Sequence, residues 1–266
     1  MSIAVSKDGT KIVYRKTGKG PVIILVDGAF CSKDFGPMPR LAPLLAEHFT
    51  VISYDRRARG ESGDTKPYNI EREIEDLQAL MEQNGGSAYL FGISSGAILA
   101  LRAVSHGLRV PKLVLFEPPF VTNKNLVRSP NAYHDLTHLI DEGKRGEAVK
   151  FYLRKVMGVP AILPFVLQLT PKWGKMKANA NSLPYDAAVC GDFEIPKNLV
   201  SAISIPVLVI DSTKSPEILR NAVEATVRVL PNATRKSLKR SIHDVPPKIL
   251  APELTQFLKG SHENGK

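Results

Sequence analysis

Residues 88–104 constrain this 266-residue chain more than any other stretch. They begin as a short apolar run, Ala88-Tyr89-Leu90-Phe91, pass through Gly92-Ile93-Ser94-Ser95-Gly96, and continue as Ala97-Ile98-Leu99-Ala100-Leu101 with little polar relief up to Val104. The first run reads as a strand, and a helix that is apolar nearly all round belongs in the interior of a domain. A buried strand that turns sharply into a buried helix predicts an α/β domain built round a central sheet.

The rest of the chain repeats that alternation. Residues 3–6 and 11–15 flank Asp8-Gly9-Thr10 as a hairpin, and apolar runs at 22–26, 49–54, 88–91, 112–116, 207–210 and 234–238 complete eight predicted strands. Helical segments separate most of them, so the sheet is expected to be mostly parallel with helices on both faces. Ile70, Ile74, Leu77 and Met81 recur at helical spacing with Glu71, Glu73, Glu75 and Asp76 between them, which predicts an amphipathic helix lying on the sheet.

Between 120 and 196 the rhythm breaks. No strand-like run occurs there, and helical segments succeed one another, separated by Gly143, Gly158-Val159-Pro160, Thr170-Pro171 and Leu183-Pro184. The expected organisation is a core of residues 1–119 and 197–266 with a helical cap of residues 120–196. The apolar side chains of that cap, among them Val156, Phe165, Leu169, Trp173 and Met176, are expected to pack the cap or to line a substrate pocket over the strand ends.

Composition excludes several classes. Forty-three per cent hydrophobic residues and no low-complexity tract argue against disorder. The net charge of +10 is spread along the chain, and its densest stretch, residues 214–248, has no interleaved aromatic side chains for stacking bases. A solvated basic face is expected, and no nucleic-acid partner. Two cysteines, Cys31 and Cys190, are too few for a disulfide framework or a cysteine metal site, and no other residues cluster at ligand spacing, so no metal is expected. The first residues lack the features of a signal peptide, and no run of about 18 apolar residues occurs. The chain reads as soluble and cytoplasmic, with a small-molecule partner and no membrane partner.

The chemistry sits at the turn. A serine projecting from a strained strand-to-helix turn needs small residues two places before and after it, and Gly92 and Gly96 supply them round Ser94. The helix N-terminus favours negative charge developing beside it. A serine hydroxyl also needs a base to take its proton. Of the six histidines, His243 has the fitting context, a loop after the last predicted strand and before a final amphipathic helix; His48, His106 and His262 fall at helix ends or in the tail, and His134 and His138 in the cap.

With Val26-Asp27-Gly28-Ala29-Phe30 after one strand, Tyr54-Asp55-Arg56-Arg57-Ala58-Arg59-Gly60-Glu61-Ser62-Gly63 after the next, and His243-Asp244 near the end, the chain resembles the α/β-hydrolase superfamily. The likeness is to its capped bacterial esterase-like and cofactor-free haloperoxidase-like branch, and it spans nearly the whole chain. It implies an α/β-hydrolase fold and a serine hydrolase without cofactor, cleaving an ester, thioester or lactone of a small to medium, largely hydrophobic substrate. It also implies an oxyanion hole made by the backbone N–H of Ala29, or alternatively of Phe30, together with that of Ser95. The Asp-Arg-Arg stretch is implied to be a structural turn. Asp27, Phe30 and Trp173 are expected at the substrate pocket, and Asp27 stands where the family usually has histidine.

The third catalytic group departs from the family. Its usual position holds Ser215, which before Pro216 reads as a helix N-cap. Glu117, at the end of the preceding strand, is the favoured acid, and Asp211 is the alternative; a dyad remains open. Also open are non-hydrolytic uses of the same site, such as perhydrolysis, carbon–carbon cleavage or a lyase reaction, and a catalytically weak ligand-binding protein.

Overall fold

The computed structural model describes residues 1–121, 129–201, 203–239 and 246–260. Among them, eight strands form one sheet in the order β1-β2-β4-β3-β5-β6-β7-β8. They are β1 (Ser2–Val5), β2 (Lys11–Thr17), β3 (Val22–Val26), β4 (Thr50–Tyr54), β5 (Tyr89–Ile93), β6 (Leu113–Phe116), β7 (Val207–Ser212) and β8 (Ala233–Leu238). The hairpin β1–β2 turns at Gly9, whose φ of 84° suits glycine, and the side chain of Asp8 accepts the Thr10 amide at 3.0 Å. β2 runs antiparallel to β4, and every pairing from β4 to β8 is parallel.

Parallel strands covered on both sides bury both of their faces, which is why their sequences read as continuous apolar runs. Ile24 and Val26 of β3 enter one core cluster while Ile23 and Leu25 enter the other. Leu113 and Leu115 alternate with Val114 and Phe116 in the same way on β6. Helices α1 (Met38–Leu45) and α11 (Pro247–Lys259) cover one face, with Met38, Leu41, Leu254 and Leu258 in its cluster. The other face carries α2 (Ile70–Gln83), α3 (Ser95–Ser105) and α10 (Glu217–Val229). Asn69 caps α2, its side chain accepting the Arg72 amide at 3.1 Å. Ala97, Ile98, Leu99 and Ala100 of α3 are wholly buried, as a helix apolar all round requires.

β8 lies at the sheet edge, and it carries the middle of the basic stretch. Arg235 pairs with Asp211 and Glu224, and Lys236 with Glu253, so charge blunts an edge that would otherwise invite another strand.

Between β6 and β7 the described chain is helical: α4 (Ala132–Asp141), α5 (Arg145–Phe151), α6 (Ile162–Gln168), α7 (Lys172–Ala178), α8 (Leu183–Cys190) and α9 (Lys197–Val200), with a π turn at Tyr152–Val156 and a 3-10 turn at Ala180–Ser182. The breaks expected at Gly143, Gly158-Val159-Pro160 and Thr170-Pro171 fall between helices, and Pro184 sits in the first turn of α8. Val156 and Met176 are buried, whereas Phe165 and Leu169 are 67% and 83% exposed and face solvent. Among the described residues no helix is long and apolar enough to cross a membrane.

Candidate active site

β5 ends at Ile93 and α3 begins at Ser95, so the whole turn is Ser94, at φ 55° and ψ −127°. A non-glycine residue holds such a conformation only when its surroundings over-determine it. Here the Ser94 amide donates to the Phe116 carbonyl at 3.0 Å, and the Ser94 carbonyl accepts from Ala97 at 2.9 Å. A Cβ at Gly92 would lie 2.4 Å from the Gly96 carbonyl oxygen, and one at Gly96 would lie 2.2 Å from that of Val26. Both glycines are therefore steric requirements of the turn. Ser94 is half-buried and Ser95 buried. Ser95 opens the helix, where first-turn amides have no carbonyl partner within the helix and the dipole is positive.

The loop after β3 approaches this turn closely. A Cβ at Gly28 would come within 3.1 Å of Ser94 Cβ and 3.7 Å of its Oγ. Four carbonyls of the loop are held by side chains: Asp27 by Arg56 Nη1 (3.1 Å), Gly28 by Arg59 Nη1 (2.5 Å), Phe30 by Asn179 Nδ2 (2.8 Å) and Cys31 by Arg59 Nη1 (3.0 Å). Phe30 itself is at φ 67°.

The arginines are in turn held by carboxylates. Arg56 grips both oxygens of Glu73, at 2.6 and 2.7 Å, and donates to Asp186 Oδ1 at 2.8 Å. Arg59 donates to Asp186 Oδ2 at 2.5 Å and to Ser182 Oγ at 2.7 Å. Ser95 Oγ donates to Asp186 Oδ1 at 2.8 Å. Arg57 takes Asp76 in a two-point grip, at 2.8 and 2.7 Å, and Asp8 at 2.9 Å. All three arginines and Asp186 are at most 2% exposed. Removing one member of such a buried pair typically costs about 3–5 kcal/mol, because the other charge stays behind in a medium that solvates it poorly.

Ser182 and Asp186, which hold Arg59, were not among the expected site residues. The available signal was slight: Asp186 is the one charged side chain in the apolar Leu183-Pro184-Tyr185-Asp186-Ala187-Ala188-Val189 segment, with Ser182 just before it.

Asp27 is 2% exposed, and its Oδ1 has no hydrogen-bond partner. Burial pushes its carboxyl well above the usual carboxylate range, against the pull of Arg59 and Arg56. Cys31 lies beside it, its Sγ and the Asp27 Oδ1 facing the same Gly36. Burial and the neighbouring Asp27 push this thiol up, so it stays a thiol and not the thiolate a nucleophile needs.

Glu117 follows β6 directly, at φ 45°, and is wholly buried. Its Oε1 accepts the Ser212 amide at 3.0 Å and the hydroxyl of Ser215. The N-cap reading of Ser215 is corrected here: α10 starts one residue later, with Pro216 at the cap and no side-chain cap bond, because the Ser215 hydroxyl is engaged by Glu117. Asp211 is also wholly buried, but its two oxygens accept from Arg235 and Ser237 of β8.

His243 falls in 240–245, between β8 and α11, outside the described residues. Phe30 packs edge to face on Tyr152, with ring centroids 5.2 Å apart. Trp173 of α7 lies against α5, 3.7 Å from the position a Gly146 Cβ would take. These two helices border a surface cleft of about 560 Å³ lined by Lys144, Arg145, Gly146 and Lys177 among others, none of them from the turn at Ser94, the loop after β3 or the β6 end. The structure thus brings together Ser94, Ser95 and the 27–31 loop, and sets Glu117 one strand away, where its backbone follows the Phe116 carbonyl that holds Ser94.

A lone serine in a strained turn from a parallel strand to a buried helix, flanked by glycines that sterics require, is the arrangement of an α/β-hydrolase. The model of the alpha/beta hydrolase family matches residues 23–251, and the chain belongs to that family. A solved alpha/beta hydrolase from Sphaerobacter thermophilus DSM 20745 is 43% identical, with a TM-score of 0.90, the alignment covering 97% of this chain and 100% of that one. The esterase RhEst1 from Rhodococcus sp. ECU1013 is 21% identical at a TM-score of 0.68, over 98% of this chain and 99% of its own, a likeness of fold. In sequence, the hydrolase YraK of Bacillus subtilis (strain 168) is 33% identical over 115 residues. That match covers 41% of this chain and 42% of YraK, less than half of the relative's length.

Proposed function

We propose that this chain is a cofactor-free serine hydrolase acting on an ester, thioester or lactone. The observation that carries the reading is Ser94: a lone residue between β5 and α3 in a strained conformation that only its small neighbours permit, with its hydroxyl beside the loop after β3. Its Oγ attacks the substrate carbonyl while His243 takes the proton. The amides of Ala29 and Ser95 hold the oxyanion, each worth roughly 3–4 kcal/mol in acyl transfer. His243 then protonates the leaving group, and water, deprotonated by the same imidazole, releases the acyl group from Ser94.

Glu117 serves as the acid that holds the imidazole tautomer and offsets its charge. It is preferred because Asp211 already neutralises Arg235, whereas the Glu117 carboxylate is steadied by two donors from the loop after β7. Asp27 works behind the oxyanion loop: burial raises its carboxyl and so favours the neutral form, which lessens negative charge beside the developing oxyanion. The helices between β6 and β7 act as the cap, and Phe30 on Tyr152 gives the pocket an apolar wall suited to a small to medium hydrophobic acyl or alcohol group. Trp173 takes part through α5, which continues into the turn bearing Tyr152.

The test is hydrolysis of p-nitrophenyl esters across acyl lengths together with fluorophosphonate labelling, on the native chain and on Ser94→Ala. Turnover and label that both vanish in Ser94→Ala support the reading. Ester turnover that survives Ser94→Ala, or a protein that neither hydrolyses nor labels, overturns it.

A further inference from the structure

The peptide between Gly28 and Ala29 is trans and held from one side. Its carbonyl accepts Arg59 Nη1 at 2.5 Å, and the same nitrogen reaches the Cys31 carbonyl at 3.0 Å. In a planar trans peptide the C=O and the N–H point in opposite directions. A guanidinium that anchors the Gly28 oxygen therefore points the Ala29 N–H the opposite way within that plane, and stops the peptide from flipping. Arg59 has little freedom of its own: Nη2 is fixed on Asp186 and Nε on Ser182. Asp186 also accepts the hydroxyl of Ser95, so one carboxylate orients both the guanidinium behind the first oxyanion amide and the residue that bears the second.

We propose that Arg59, aligned by Asp186 of α8, is the positioning residue of the oxyanion hole, fixing the direction of the Ala29 amide. The proposal rests on the serine hydrolase reading and deepens it. A lysine cannot replace this arginine, because a single ammonium lacks the planar fork that serves two loop carbonyls on one edge and Asp186 and Ser182 on the others. Burial alone does not account for the arrangement. Arg57 is equally buried and equally paired, yet its remaining donor goes to the Arg72 carbonyl in α2, not to the loop. Asn179 offers an internal comparison: it holds the Phe30 carbonyl, and so the Cys31 amide, which is not an oxyanion donor.

The experiment uses the full chain. Fluorophosphonate labelling and ester turnover of the native protein come first, since their absence defeats the hydrolase reading and this proposal with it. Kinetics and the affinity of a trifluoromethyl ketone, which forms an oxyanion adduct with the nucleophile, are then measured on Arg59→Lys and Asn179→Ala, with thermal unfolding followed in parallel. Arg59→Lys is expected to lower kcat by about 10- to 100-fold with KM within about threefold, and to weaken the ketone by the same factor as kcat/KM. Asn179→Ala is expected to change each quantity by less than about fivefold. A folded Arg59→Lys that keeps kcat, or loses efficiency through KM alone, overturns the proposal while leaving the hydrolase reading intact; so does an equal loss in Asn179→Ala. Should Arg59→Lys fail to fold, Asp186→Asn, which keeps an oxygen to receive Arg59, must show the same kcat-only loss in smaller measure, and an unchanged kcat there overturns it.

Discussion

The carboxylate of Glu117, just past β6, accepts the hydroxyl of Ser215 from the loop after β7, and the amide of Ser212 at 3.0 Å completes the cradle. The serine that stands at the family's usual acid position thus contacts an acid supplied by the neighbouring strand. Two donors on one oxygen fix its rotamer, which a histidine partner requires.

Glu117→Gln is accordingly expected to cut kcat by about 10⁴-fold, the scale seen when a triad acid becomes an amide. Asp211→Asn is expected to stay within about fivefold in kcat and to lower stability instead, since it leaves Arg235 without its buried partner. Steady-state ester kinetics and chemical denaturation on both variants check this; the reverse ranking would give the acid role to Asp211.

Asp27 makes stability depend on pH in a stated direction. Its native carboxyl titrates well above the unfolded value, so between the two the native state binds the extra proton. Stability must then fall as pH rises above the ordinary carboxyl range, by at most about 1.4 kcal/mol per pH unit until the native group ionises. Asp27→Asn, which mimics the neutral form, is expected to match the native chain at low pH and to exceed it at higher pH. Urea midpoints of both proteins between pH 4 and pH 9 measure the difference, and parallel curves would show that Asp27 is ionised in the fold.

Gly96→Ala is expected to destabilise by about 3 kcal/mol or more. Its methyl group would lie 2.2 and 2.5 Å from the backbone oxygens of Val26 and Asp27, so the end of β3 and the loop after it would have to move together. An unfolding midpoint close to that of the native chain would show that this junction yields more easily than its geometry implies.

The thiol of Cys31 is expected to resist modification. Titration with a disulfide reagent at pH 8 should run at least about tenfold slower on the folded chain than in denaturant, given burial and the nearby Asp27. Equal rates would place the thiol in a more open setting.

Much of the framework was legible in the sequence because strands buried on two faces write themselves as unbroken apolar runs. The run at 22–26 matches β3, and β5 extends only two residues past the expected Phe91, to Ile93. The turn at Ser94 was legible for a different reason: Gly92, Ser94 and Gly96 are local to one turn. What escaped was long-range polar pairing. Ser215-Pro216 carries a sound local cap signal, but Glu117, 98 residues earlier, competes for the same hydroxyl and takes it. Asp186 and Arg59 are 127 residues apart, and no periodicity or spacing links them. Phe165 of α6 and Leu169 at its C-terminal cap show the converse: apolar identity alone did not say that they would face solvent.

The bond from Arg59 to Asp186 also bears on engineering. Hydrolases of this architecture invite the exchange of one helical insert for another to change selectivity, but here the insert contributes Ser182 and Asp186, which fix Arg59 against the loop after β3. A graft lacking an acid at the Asp186 position would leave the buried Arg59 without its carboxylate partner and take from Arg56 one of its two. A transplant for this chain therefore has to leave the 3-10 turn and α8, Ala180 to Cys190, in place and vary only the helices before them.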